Sequence, residues 1–519
     1  PDTLTSRNNL AGAYRSAGDL GRALPLFEVT LAARERVLGA DHPDTLTSRN
    51  NLAGAYRSAG DLGRALPLFE VTLADCERVL GVDHPDTLSL RNNLASTYEE
   101  AGDLGRAIPL FEVTLAARER VLGADHPDTL TSRDNLAGVY RSAGDLGRAI
   151  PLFEVTLAAR ERVLGADHPS TLTSRNNLAG IYEEAGDLGR AIPLFEVTLA
   201  ARERVLGADH PSTLQSRNNL AHVYQEAGDL GRAIPLFEVT LADCERVLGA
   251  DHPSTLTLRG NLAHVYQAAG DLGRAIPLFE VTLAARERVL GADHPDTLTS
   301  RNNLAGTYQE AGDLGRAIPL FEVTLAARER VLGTDHPSTL QSRNNLAGTY
   351  QEAGDLGRAI PLFEVTLAAR ERVLGADHPS TLISRNNLAC AYESAGDLGR
   401  AIPLFEATLA DRERLLGADH PSTLNSRNNL AGVYRSAGDL RRATLLFEVT
   451  LAARERVLGA DHPETLNSRN NLACAYQAAG DLGRAIPLYE RTLTDCERVL
   501  GVDHPGTRTV RANLATALG

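Results

Sequence analysis

The chain contains no lysine, no methionine and no tryptophan, and aromatic residues fill only 5% of its 519 positions. Without lysine there is no residue to grip phosphates in a Walker-type loop, which excludes that class of nucleotide site. All 53 basic residues are arginines, and against 67 acids they leave a formal charge of −14. A general nucleic-acid binder wants a basic stripe, which this balance does not supply. Cysteine is scarce too. Cys76, Cys244, Cys390, Cys474 and Cys496 are scattered and odd in number, so no disulfide framework or metal-ligand spacing emerges. That fits a reducing compartment and points to the cytoplasm. No apolar run approaches the ~20 residues of a membrane span, and no signal peptide is visible. There is no Gly-x-Ser-x-Gly elbow and no His-Glu-x-x-His helix, so no enzyme is expected here and no cofactor is implied. With no initiator methionine, the chain is expected to be a piece of a longer protein.

What the sequence does contain is one 42-residue unit, PDTLTSRNNLAGAYRSAGDLGRALPLFEVTLAARERVLGADH, repeated from end to end. Prolines at Pro1, Pro43, Pro85, Pro127, Pro169, Pro211, Pro253, Pro295, Pro337, Pro379, Pro421 and Pro463 open twelve full copies over residues 1–504. Pro505 opens a half copy, 505–519, whose Arg508 and Arg511 suit the outer face of a capping helix. Length alone suggests several globular domains. A fixed period of this size instead predicts an elongated array in which each unit packs mainly on its neighbours.

Each unit predicts two helices. The repeat proline suits the first helical position, where its missing N–H would have gone unpaired anyway. Leu4, Leu10, Ala11 and Tyr14 give one buried stripe at helical spacing. Gly18 is the expected left-handed cap, and Asp19 then caps the second helix. There Leu20, Ala23, Leu24, Phe27, Leu31 and Leu38 share a face, Gly39 ends the helix, and ADHP turns into the next copy. Pro25 breaks a local rule, because its ring should clash with the carbonyl of Gly21. In the eleventh copy Arg441 and Leu445 replace that Gly and Pro together. A kink or a tightened first turn is therefore expected in every second helix but that one.

The NLA run followed by Tyr14, then Gly18-Asp19, Ala23 and Phe27, resembles the tetratricopeptide repeat. The 42-residue period, the NNLA run and the LGADHP link resemble its kinesin-light-chain type. Arg7 and Pro25 depart from the family pattern. The resemblance implies an all-α fold, a right-handed α-solenoid superhelix of antiparallel helix pairs whose first helices line a concave groove. It also implies a protein- or peptide-binding scaffold. Bacterial arrays of this type serve as sensors attached to signalling NTPases or proteases, so a regulatory array is a second reading. A third is structural: the first copy shows no polar capping variant, so head-to-tail self-association is a further expectation.

Differences between copies fall mostly on the first helix, at its second, fifth, sixth, eighth, twelfth, thirteenth, fifteenth and sixteenth positions. The fifth, eighth, twelfth and fifteenth or sixteenth share one face, the expected partner-binding surface. The eighth is Asn8, Asn50, Asn92, Asn176, Asn218, Asn302, Asn344, Asn386, Asn428 and Asn470, with Asp134, Gly260 and Ala512 elsewhere; the ninth is Asn throughout. An amide carries donors and an acceptor, so an Asn ladder can hold a peptide backbone; the competing reading for the ninth is a bond to neighbouring backbone between repeats. The twelfth is mostly Gly, which opens room, but His222 and His264 occupy it in adjacent copies. The fifteenth is Arg15, Arg57 and Arg141 early and largely Gln later, while Glu184, Glu226, Glu310 and Glu352 make the middle acidic. Arginine forks favour carboxylates, so an acidic partner segment at the N-terminal end is one reading, with solvated surface charge the leading one. The Asp-His pairs from Asp41-His42 onward are expected to do turn and cap chemistry rather than bind metal, and His222 with His264 would supply too few ligands for a closed zinc site.

Overall fold

The computed structural model describes residues 2–519; the proline at position 1, the first of the expected helix-opening prolines, lies outside them. Twenty-five α-helices and no strands are found among the described residues. The chain forms two compact units, Pro1–Leu258 and Arg259–Gly519, each built from the same helix pair. Repeat 9 is representative, with a first helix Pro337–Glu352 and a second helix Leu356–Leu374. Residues are placed below by repeat and by slot, 1 to 42, within it.

Both helix ends follow from the sequence. In repeat 2 the Asp61 N–H bonds the Tyr56 carbonyl at 3.0 Å and the Gly60 N–H bonds the Arg57 carbonyl at 2.9 Å. This closes the first helix with Gly60 at φ 74°, a backbone region only glycine enters cheaply. Asp61 then starts the second helix, its carboxylate accepting from the Arg64 N–H at 3.1 Å. At the link between repeats His42 is the cap: its Nδ1 accepts from the Asp44 N–H at 3.1 Å, with Pro43 as the first helical residue. Its neighbour Asp41 holds the Arg78 guanidinium of the next repeat, with contacts of 2.5 and 3.0 Å.

The interior proline does not shorten its helix. Leu398–Leu416 contains Pro403 and Leu440–Leu458 contains none, yet both run over the same slots. A tightened first turn is present in repeats 3 to 10 and 12, where the slot-22 N–H also reaches the slot-19 carbonyl, as in Arg400 to Asp397 at 3.2 Å. Repeat 11 lacks that bond, but so do repeats 1 and 2, which keep the proline. Nor is the slot-21 glycine required. A Cβ at Gly399 would meet only the Asp397 carboxylate, at an ordinary 3.7 Å.

The stripe at slots 4, 10, 11 and 14 is buried once a preceding repeat lies against it: Leu52 is 5% exposed whereas Leu10, the same slot in the first repeat, is 49% exposed. The second-helix phenylalanines, Phe27 through Phe447, are almost wholly covered. Each such burial is worth about 1.5–3 kcal/mol. Several charged side chains are buried with them. Arg49, at the slot where the family pattern expects an apolar residue, is bonded to Glu35 of the previous repeat at 3.1 Å and to Asp75 at 2.7 Å. Arg34 reaches across to the Ser48 hydroxyl at 2.8 Å and the Asp44 carbonyl at 2.9 Å. That slot-34 to slot-6 junction exists in two forms. Arg328 meets Ser342 at 2.7 Å, and Arg370 meets Ser384 at 2.8 Å. Where slot 34 is cysteine, slot 6 of the next repeat is apolar: Cys76 with Leu90, Cys244 with Leu258, and Cys496 with Val510, all buried. Burial pushes the Cys76 thiol up to about 11, so it behaves as a small apolar side chain.

Candidate binding groove

The first helices of successive repeats stand side by side and leave a furrow between their exposed faces. In the second unit this furrow has a volume of ≈ 820 Å³, walled by Asn302, Asn303, Gln309, Asn344, Asn345 and Gln351 and floored by Phe321 and Phe363. In the first unit a furrow of ≈ 400 Å³ is walled by Asn176, Asn177, Asn218 and Asn219 over Phe195. Slots 8, 12, 15 and 16 therefore meet on one lined face, joined by slot 9. Slot 12 explains part of the open space. A Cβ added at Gly306 or Gly348 would meet nothing within 4 Å, so packing does not demand glycine there. Glycine inside a helix costs about 1 kcal/mol relative to alanine, and here it leaves the furrow open.

Within each unit the asparagines form a ladder, interrupted at Asp134 and at Gly260. The slot-9 amide nitrogen of each repeat donates to the slot-8 amide oxygen of the repeat before it: Asn51 to Asn8 at 3.3 Å, Asn93 to Asn50 at 3.2 Å, Asn135 to Asn92 at 3.0 Å and Asn219 to Asn176 at 3.3 Å. In the second unit Asn345 donates to Asn302 at 3.5 Å, Asn387 to Asn344 at 3.2 Å, Asn429 to Asn386 at 3.2 Å, Asn471 to Asn428 at 3.2 Å and Asn513 to Asn470 at 3.0 Å. Slot 9 thus bonds between repeats, but to a neighbouring side chain and not to backbone. Two substitutions change the pattern. Asp134 turns its carboxylate to Arg160. Gly260 offers no side chain, and Asn303 bonds the His264 Nε2 at 2.9 Å instead.

Slots 15 and 16 form a second rail, pairing from one repeat to the next. Arg57 bonds Glu100 at 3.0 Å and Arg141 grips both oxygens of Glu184 at 2.9 and 2.8 Å. Gln267 donates to Glu310 at 2.6 Å, Gln309 to Glu352 at 2.7 Å and Gln351 to Ser394 at 3.1 Å. The carboxylates that Arg57 and Arg141 were expected to seek on a partner are thus supplied by this chain's own next repeat. Arg15 lies 6.0 Å from the Phe27 ring centroid. No short-range spacing marks this rail in the sequence. Its signal is a complementarity between slot 15 of one copy and slot 16 of the next.

The two slot-12 histidines sit in different surroundings. His222 Nδ1 lies 2.8 Å from Glu183, whose hydrogen bond raises the imidazole pKa. His264 packs edge-on to Phe279, ring centroids 4.8 Å apart, and burial lowers its pKa.

In each unit, helix pairs closed by glycine, packed on one another and presenting a lined furrow, define a helical-repeat protein of the scaffold class. The tetratricopeptide repeat family is matched over residues 2–78, 194–245, 218–288 and 261–330, and over 87–128, 129–170, 171–212, 339–380, 381–422, 423–464 and 465–506. The chain belongs to the tetratricopeptide repeat family. Among solved structures, it is similar to nearly identical TPR-like repeats assigned to a kinesin light chain of Podosopora anserina, with 35% identity over 40% of this chain and 97% of that one, TM-score 0.36. A variant of the same protein gives 35% identity over 40% and 97%, TM-score 0.37. BtubC from P. vanneervenii is similar at 23% identity over 45% of this chain and 94% of its own, TM-score 0.39. No curated protein matches the chain.

Proposed function

We propose that this array is a non-enzymatic scaffold that holds an extended segment of a partner protein in the furrow walled by slots 8, 9, 12, 15 and 16. The observation that carries the reading is the direction of the asparagine ladder. A rung such as Asn387 to Asn344 uses the slot-8 oxygen and one slot-9 N–H, so the slot-9 amide keeps a second N–H to donate and its oxygen to accept. An extended backbone needs that pairing of donor and acceptor, which favours recognition of main chain with little demand on sequence. The slot-12 glycines provide room for side chains. The unpaired cysteines suit the cytoplasm. No helix among the described residues is long and apolar enough to cross a membrane.

The test is selection of peptides from a displayed random library on the full chain, followed by fluorescence anisotropy against the parent and a triple variant, Asn302→Asp, Asn344→Asp and Asn386→Asp. Asp134 shows that a carboxylate is accommodated at this slot. Loss of at least tenfold in affinity with unchanged helicity supports the reading, on the scale expected for losing hydrogen bonds of about 1 kcal/mol each. Equal affinity would move binding off the ladder.

A further inference from the structure

One junction of the slot 15–16 rail is built unlike the others. At the other bonded junctions an arginine or an amide faces a carboxylate, or a serine faces an acid or an amide, as in Arg57 with Glu100, Gln309 with Glu352 and Ser142 with Glu99; the slot that follows Arg435 on the rail is Ala478. Between repeats 5 and 6, Glu183 meets Glu226, the one junction of this rail with an acid at both slots. The same repeat carries a histidine at slot 12, where most repeats have glycine. His222 Nδ1 is 2.8 Å from Glu183 Oε1 and 4.0 Å from Glu226 Oε1, and one ligand atom from each of the three residues lies within 4.8 Å of the others.

We propose that Glu183, His222 and Glu226 form a binding site for a divalent transition cation such as zinc, with coordination positions left open toward the first-unit furrow. Zinc binds imidazole nitrogen and carboxylate oxygen at about 2.0–2.2 Å, which places tetrahedral ligand atoms about 3.4 Å apart. The observed triangle brackets that separation. Glu183 is largely covered, at 18% exposure, and anchors the site; Glu226, at 43%, is free to swing the remaining distance. Two carboxylates and a neutral imidazole carry the −2 charge that a divalent ion neutralises, and a set of one nitrogen and two oxygens suits zinc, cobalt, nickel or manganese. Arg141 lines the same furrow, but its charge is already matched by Glu184, so it does not compete for these acids. Bound there, the cation would have water or a partner's carboxylate or imidazole as its outer ligand. The proposal does not rest on the peptide-binding reading, because the cation is measured with no partner present.

The full chain, stripped of metal, is titrated with Zn²⁺ by calorimetry and with Co²⁺ by visible absorption, beside His222→Gly and Glu183→Gln. His222→Gly restores the residue that other repeats carry at slot 12, so its fold is secure, and its melting without metal serves as the check. The expected result is one site per chain in the parent, weakened at least tenfold in both variants, a loss within the roughly 10–100-fold seen for disturbed metal shells. The Co²⁺ spectrum should show d–d bands without thiolate charge transfer. Zn²⁺ affinity equal in parent and His222→Gly, a thiolate-type Co²⁺ spectrum, or no stoichiometric site would each overturn the proposal.

Discussion

Asn387 donates an amide hydrogen to the Asn344 oxygen across 3.2 Å, one full repeat earlier in the chain. Asn344 is 9% exposed, so removing its donor leaves a nearly buried oxygen unpaired. Asn387→Ala should therefore lower stability by about 1–3 kcal/mol. Urea unfolding would show it as a lower midpoint. In a repeat array the loss should be local, so hydrogen exchange should quicken most in repeats 9 and 10.

The two junction types make a sharper prediction. Arg328→Cys alone leaves Ser342 without its buried partner, and Ser342→Leu alone thrusts a large side chain against a buried guanidinium. Each should cost about 2–5 kcal/mol. The double variant recreates the Cys76–Leu90 junction and should cost less than the sum by at least about 1 kcal/mol, read as a coupling energy from denaturant midpoints. Strict additivity would show that the two slots do not act as a pair.

The histidines should titrate in opposite directions from the ordinary value of 6.5. The Glu183 hydrogen bond raises His222, so its contribution to stability is complete below about 6.5 and is lost as pH rises through the higher folded value. Burial lowers His264, so the fold binds fewer protons there than the unfolded chain does. Stability is then complete above about 6.5 and erodes as pH falls toward the lower folded value. Proton NMR of the two imidazoles, assigned with His222→Gln and His264→Gln, checks both shifts.

The interior proline is a cost that the fold carries without visible return. Pro361 lies on the exposed side of its helix, and repeat 11 forms the same helix with leucine at that slot. Pro361→Ala restores one backbone N–H opposite the Gly357 carbonyl and should raise stability, by up to about 3 kcal/mol. A lower urea midpoint would mean that the proline is needed for packing.

Much of the fold was legible in the sequence because its punctuation is chemical. Gly18, Asp19, His42 and Pro43 stop and start helices through effects confined to a few neighbouring residues. The eighth, twelfth and fifteenth slots were legible as one face for the same reason, since helical spacing alone brings them together. The partners of charged residues were not legible. Arg34 and Arg49 look like surface residues until Ser48 and Glu35, fourteen positions away in chain order, are seen across a buried junction. Arg57 and Arg141 looked available to a ligand because Glu100 and Glu184 lie one repeat further on. Contacts at a distance of one repeat have no local signature, but comparing each copy with its successor exposes them.

The junction between Cys76 and Leu90, set beside that between Arg328 and Ser342, bears on heredity as well as packing. Near-identical tandem copies invite unequal recombination, which lengthens or shortens an array by whole multiples of its period. A crossover that placed a cysteine-ended copy before a serine-bearing one would join mismatched halves. One falling inside the first or second helix, away from the link, would carry both halves together. A crossover that preserves the junction therefore falls between slots 7 and 33, so that slot 34 of one copy and slot 6 of the next are inherited together.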